Sequence, residues 1–366
     1  MRGNKGLRWI DACLGRVLIF VFRLFKKKQP FPQRIESIGL LKLFGIGDLI
    51  LLSGIVQDIF ARYPESKIIL FCGTDNAEIA RLIPGIHEIV PLPFLAVRRL
   101  WQRRPTILFD FGQWSRIDAL FAYLSGSSYT IGFQTAGQQR HNLYDATSVH
   151  SSSVHEIENF RALVAKGGVK SLTPPTLRLQ EEPVSSEFLK KEPLIIFHPW
   201  PSGLKSELKK WPLNSWMKLG EILLQNGYYV LISGSRANFE ESQELEEKIN
   251  ASAKIGRALN GAGKLSLSQL GHLMQKAKCV ISVNTGVMHL ASCFETLLIA
   301  LHGPTSVNRW GPLGSQAVAL SSECAECGYL NLGFEYPKEA PPCMEKITLS
   351  KVLEVLTQKN LIKRQQ

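Results

Sequence analysis

From Ile38 onward, short β-branched apolar runs alternate with longer stretches whose apolar positions recur every three or four residues. The first kind predicts buried strands, and the second predicts helices that cover them. Strands are expected over 38–43, 67–71, 88–92, 106–111 and 129–133, with helices over 49–62, 76–83, 95–103 and 116–124 between them. A helix over 157–166 closes this series. The stretch 171–193 holds four prolines and no sustained apolar period, so it reads as connecting chain. A second series follows, with strands over 194–198, 228–233, 278–283 and 297–301 and helices over 215–225, 240–250, 268–276 and 287–291. The chain closes with a helix near 350–358. Two such alternations predict an α/β protein of two doubly wound, Rossmann-like parallel sheets facing a central cleft. The expected organisation is an N-terminal domain over 35–180, a linker over 181–193, a C-terminal domain over 194–348 and a terminal helix over 349–366.

Residues 7–25 carry a different pattern. Ile10, Leu14, Val17, Leu18, Val21, Leu24 and Phe25 recur at helical spacing, and the longest unbroken apolar run, Val17 to Phe22, is far shorter than the ~20 residues a spanning helix needs. Lys26-Lys27-Lys28 stands where a signal peptide would place its small cleavage residues. An amphipathic helix lying in a membrane surface is therefore expected for 1–34, with basic residues reaching anionic headgroups. A helix docked on the protein's own body is the other reading.

Charge sharpens this picture. The net charge is +12, and the first 34 residues hold nine Lys/Arg against one acid, Asp11, so +8 lies there. No basic stripe with interleaved aromatics follows, which disfavours nucleic acid as a partner. The seven cysteines are odd in number and scattered, which is cytosolic usage rather than a disulfide framework. Cys324, Cys327 and Cys343 lack a fourth ligand at metal-site spacing, so no metal is expected and a reduced loop is favoured over a zinc site or a disulfide.

Candidate chemistry gathers at strand ends, because ligands bind outside the carboxyl ends of strands in such sheets. Gly45-Ile46-Gly47-Asp48 ends the first strand; its glycines allow close backbone approach, and Asp48 is either a helix cap or a carboxylate aimed at a ligand. The dinucleotide fingerprint lacks its third glycine, which disfavours a nicotinamide enzyme. In the second series, His198-Pro-Trp-Pro-Ser202-Gly203 takes the equivalent turn, and Lys209-Lys210-Trp211-Pro212 follows. Asn284-Thr285-Gly286 sits between a buried strand and a helix bearing His289, an arrangement that presents free amides to a phosphate. Gln134–Tyr144 is a polar loop with Arg140 and His141.

Together these residues are recognisable. GIGDLILLSGIVQDIFARYP, KKWP, GKLSLSQLGHLMQKAKCVISVNTGVMHLAS and LHGPTSVNRWGP keep the order and rough spacing of glycosyltransferase family 9, the ADP-heptose:lipopolysaccharide heptosyltransferases, which the chain resembles over about residues 35–345. The resemblance implies a GT-B fold and an inverting, metal-independent glycosyltransferase. It would move a heptose from ADP-heptose to a lipopolysaccharide core acceptor at the cytoplasmic face of a Gram-negative inner membrane, with no cofactor. By the family pattern Asp48 is the general base, and Lys209, Thr285, Gly286 and His289 hold the donor, with Ser202 and Gly203 in the neighbouring turn. Gly47, Arg140 and His141 are the acceptor-side candidates. Asn284 departs from the family's usual Asp and leaves room for another nucleotide-sugar donor. A silent sugar-nucleotide binding protein is the reading from a different class.

Overall fold

The computed structural model describes residues 5–363 apart from 93–96, 190, 204, 252–255, 323 and 333–334, and apart from the side chains of residues 5, 7 and 8. The start of the helix expected at Leu95, the charged side chains at positions 2, 5 and 8 and the last three residues of the terminal segment lie outside the described part. The chain divides after Arg178 into two compact units.

The first unit begins with helix α1 (Lys5–Arg23) and strand β1 (Ser37–Lys42), followed by α2 (Ile46–Arg62), β2 (Lys67–Cys72), the short α3 (Ala77–Ala80) and β3 (Glu88–Pro91). Then come α4 (Val97–Arg103), β4 (Ile107–Asp110), α5 (Arg116–Leu124), β5 (Tyr129–Gln134), β6 (Ala146–Val149) and α6 (Glu156–Ala165). Its sheet is wholly parallel with strand order β3-β2-β1-β4-β5-β6. The central strands are apolar up to their last residues because helices cover both faces, as parallel sheets require.

The second unit runs β7 (Leu194–His198), α7 (Leu213–Gln225), β8 (Tyr229–Ile232), α8 (Phe239–Asn250), β9 (Ala258–Asn260), α9 (Leu267–Lys276), β10 (Cys279–Val283) and α10 (Gly286–Ala291). It finishes with β11 (Leu297–His302), α11 (Val307–Trp310), β12 (Ala317–Ser321) and α12 (Leu349–Gln358). The order β12-β11-β10-β7-β8-β9 is again fully parallel. Counted from the first strand of each unit, both sheets have the same Rossmann order, so each has a switch point, the place where such sheets hold their ligands. That point lies between β1 and β4 in the first unit and between β7 and β10 in the second.

Helix α1 packs on the first unit along one side and exposes apolar residues along the other. Asp11, Gly15 and Ile19 form a buried stripe, Phe22 stacks on Tyr123 of α5 at 5.2 Å, and Lys26 pairs with the buried Asp145 at 2.7 Å. The opposite side exposes Trp9, Ile10, Leu14, Val17, Phe20, Val21, Leu24 and Phe25. Among the described residues no helix is long and apolar enough to cross a membrane.

Candidate active site

In the first unit the switch point is occupied by a buried polar triangle. Lys42 ends β1 and sends its ammonium to Asp48 Oδ2 at 2.7 Å. Gln113, in the loop after β4, donates from Nε2 to the same oxygen at 3.1 Å and accepts from Lys42 Nζ at 3.2 Å. Each of the three side chains is almost wholly buried. A buried carboxylate is tolerated only when its lost hydration is replaced, and the ammonium and the amide do that here. Asp48 stands in the first turn of α2, where the helix dipole also favours a negative group. Gly45 makes the turn possible. It sits at φ +97°, and a Cβ there would lie 2.7 Å from Asp48 Oδ2.

Beneath this triangle lies a second buried cluster. Arg140 and Tyr144 both reach Asp110 Oδ2 at 2.5 Å, and Arg140 also bonds the Gly112 carbonyl. The Tyr144 ring fills the space that a side chain at position 132 would take, which is why Gly132 is required in β5. Arg140 therefore corrects the expectation of an acceptor contact. Its guanidinium is fully enclosed and braces the loop after β4 instead of facing a ligand. His141 beside it is half-buried, and burial, with Lys28 nearby, holds its pKa below the usual imidazole value. Burial first, and the neighbouring Asp110 second, push the Asp118 carboxyl up to about 7.

In the second unit the ends of β7 and β10 carry the expected residues. His198 faces Ser233 Oγ at 2.9 Å, and that hydroxyl gives its only proton to the Phe197 carbonyl. The imidazole is thus the donor from Nδ1, and burial pushes its pKa down to about 4, so it stays neutral. Ser202 and Gly203 are exposed in the following turn, which Lys209 ties back by donating to the Ser202 carbonyl at 2.8 Å. Thr285 caps α10, its hydroxyl accepting from Met288 N at 3.4 Å. Thr285 and Gly286 are half-buried, whereas His289 is almost wholly enclosed. Asn284 turns its amide toward His302 Nδ1 at 3.0 Å and the Trp310 carbonyl at 3.4 Å. An amide nitrogen can only donate, so His302 accepts at Nδ1.

Lys42, Gln113 and His302 were not among the sequence candidates. Lys42 had a signal, a lysine ending an otherwise apolar strand. His302 lay within the LHGPTSVNRWGP motif without being singled out, and Gln113 had no signal beyond standing just past a strand end. The cysteine loop departs from expectation too: Cys324 and Cys327 are joined as a disulfide, and Cys343 brings the third sulfur, all three within 4.8 Å of one another.

The glycosyltransferase family 9 (heptosyltransferase) profile matches residues 115–329. Lipopolysaccharide heptosyltransferase 2 of Salmonella typhimurium is 25% identical over 298 residues, covering 74% of this chain and 84% of that protein. Among solved structures, Escherichia coli ADP-heptose lps heptosyltransferase II superposes with a TM-score of 0.68 at 22% identity, over 89% of this chain and 98% of that one. Escherichia coli heptosyltransferase WaaC with ADP gives 0.64 at 17% identity, over 88% and 99%. The two parallel Rossmann units share the GT-B fold of these structures. The chain belongs to glycosyltransferase family 9, the heptosyltransferases.

Proposed function

We propose that this enzyme transfers a heptose from ADP-heptose to a lipopolysaccharide core acceptor with inversion at the anomeric carbon and without a metal. The observation that carries this reading is the Lys42–Asp48–Gln113 triangle at the first switch point. A carboxylate held by two fixed donors is oriented before substrate arrives, as a general base must be. Asp48 takes the proton of the acceptor hydroxyl as that oxygen bonds to the anomeric carbon. The bond from that carbon to the diphosphate breaks on the opposite side, and ADP leaves. Lys209 and the amides after Thr285, with Ser202 and Gly203 in the adjoining turn, are the groups that offset the charge of the leaving diphosphate. The relatives named above, a lipopolysaccharide heptosyltransferase and an ADP-heptose heptosyltransferase, support this choice of substrates.

The same proposal places the enzyme peripherally on the cytoplasmic face of the inner membrane. Support comes from the exposed apolar side of α1 and from the basic residues Arg16, Arg23, Lys27 and Lys28 around it. A lipid-linked acceptor is then met at the surface where it resides.

The test is complementation of a deletion strain, with the lipopolysaccharide read by mass spectrometry. Wild type restores one heptose-sized increment; Asp48→Asn does not, while the purified variant still binds ADP. Full restoration by Asp48→Asn removes the base assignment, and an increment of another mass identifies another donor.

A further inference from the structure

We propose that Asp11 on α1 is a positioning residue for the Asp48 carboxylate, acting through Gln113, so that the seating of the amino-terminal helix is coupled to the geometry of transfer. This inference rests on the reading of Asp48 as the base.

The coupling follows from how α5 begins. Its N-cap residue, Ser115, makes no capping bond with its own side chain. The carboxylate of Asp11 supplies the cap from another helix. Oδ1 accepts from Ile117 N at 3.0 Å and from Ser115 Oγ at 3.3 Å, and Oδ2 faces Arg116 Nη1 at 3.5 Å. Helix starts leave amides unpaired, and a buried anion is well placed to satisfy them. The single acid among the nine basic residues of the first 34 thus has a specific task.

The segment 112–117 is consequently pinned at both ends. At its start Gly112 N donates to Asp110 Oδ1 at 2.8 Å, and Arg140 holds the Gly112 carbonyl. Thr135 donates to the Gln113 carbonyl. At its far end the hold is Asp11. Gln113 lies between these anchors and carries the amide that bridges Lys42 and Asp48. Arg116 adds a further tie, from Nη2 to the Gly137 carbonyl at 3.0 Å, but Asp11 is the group that faces Arg116 from α1. Releasing Asp11 removes the hold that α1 places on the start of α5, and with it one of the restraints on the far side of Gln113. A misplacement of about 1 Å at a reacting group can cost a hundredfold in rate, and a smaller one proportionately less.

The experiment uses the full-length protein, ADP-heptose and a deacylated, water-soluble core oligosaccharide as acceptor, so that membrane partition does not enter the rate. Asp11→Ala is expected to lower kcat by about tenfold with the donor KM changed by no more than about twofold. Asp11→Asn retains the oxygen that faces Ile117 N and is expected to recover most of the loss. Gln113→Ala is expected to lower kcat similarly, and the double variant to be no slower than Gln113→Ala alone. Wild-type kcat in Asp11→Ala, or losses that multiply in the double variant, overturns the coupling. An effect of Asp11→Ala confined to thermal stability or to binding of phosphatidylglycerol vesicles also overturns it. If Asp11→Ala does not fold, Asp11→Glu, whose longer side chain moves the carboxylate off Ile117 N, and its cycle with Gln113→Ala decide the matter by the same criteria. Turnover surviving in Asp48→Asn sinks the base assignment itself. An inactive Asp48→Asn beside fully active Asp11 and Gln113 variants sinks only the coupling.

Discussion

The Nζ of Lys42 stands 2.7 Å from Oδ2 of Asp48, with neither side chain more than 4% exposed. Two opposite charges removed from water together are tolerable, but either one left alone is not. Lys42→Met is therefore expected to destabilise the protein by about 3–5 kcal/mol, since it strands a buried carboxylate. Adding Asp48→Asn to it should return a large part of that loss, because the charge that needed a partner is gone. Denaturant unfolding of the two single variants and the double variant checks the non-additivity. Simple additivity would mean that the pair is not energetically coupled.

The two sides of α1 predict opposite outcomes for deletion and for substitution. Removing residues 1–30 takes away Asp11, Ile19, Phe22 and Lys26, all of which pack or pair with the first unit. The truncated protein is expected to lose folded yield and melt several degrees lower. The triple change Val17→Glu, Phe20→Glu and Leu24→Glu alters only exposed positions. It should leave the melting temperature within about 2 °C of wild type, as surface changes do. Sedimentation with anionic vesicles should show binding lost. Undiminished vesicle binding by this variant would remove α1 as the membrane contact.

Asp118 predicts a pH dependence with a definite sign. Burial raises its carboxyl to about 7, and Oδ1 has no hydrogen-bond partner among the described residues. A raised carboxyl pKa means that the fold favours the protonated form. Its stabilising contribution is complete below about pH 4, the ordinary aspartate range, and is lost as pH rises toward 7. Asp118→Asn, neutral at every pH, should flatten this decline and be more stable than wild type at pH 8 by on the order of 1–2 kcal/mol. Thermal melts at intervals between pH 4 and 8 measure it. A variant that tracks wild type across that range would show that Asp118 is ionised throughout.

At the second switch point, Asn284→Ala removes the amide that His302 and the Trp310 carbonyl share. The expected cost is about 1 kcal/mol, the net worth of a hydrogen bond, since His302 Nδ1 keeps Thr305 Oγ1 at 3.4 Å. Thr285→Ala removes the α10 cap, at about 1 kcal/mol. Under the donor assignment both variants bind ADP more weakly than wild type, measured by calorimetric titration. Unchanged ADP affinity in both would move the diphosphate away from the end of β10.

Most of the architecture was legible in the sequence, and the strands that were missed share one cause. Strand β7 and helix α5 fall on their expected bounds, and the other central strands agree to within a residue or two. Strands β6, β9 and β12 were not foreseen, and all three are sheet edges. An edge strand has one neighbour and needs no continuous apolar run: Ala146–Val149 and Ala317–Ser321 are mostly half-exposed, and Ala258–Asn260 is only three residues long. Helix α3 also came out shorter than its pattern, because 74–76 winds as a tighter turn before it.

The candidate residues divide in the same way. Asp48, Thr285 and Gly286 could be read from the chain because each stands where a strand hands over to a helix, a local event written in neighbouring residues. Arg140 could not be placed, since a polar loop looks the same whether its arginine faces solvent or is drawn inward by Asp110. The partners of Asp48 were beyond local reading as well. Lys42 and Asp48 are close in sequence, but Gln113 is 65 residues from Asp48 and meets it only because β4 lies beside β1. Asp11 reaches Ile117 across 106 residues because α1 packs on α5. Periodicity and turn chemistry determined the elements and the positions at their ends. Which of those ends share one buried pocket of charge was decided by strand order and helix docking, because desolvation joins polar groups by proximity in space and not by distance along the chain.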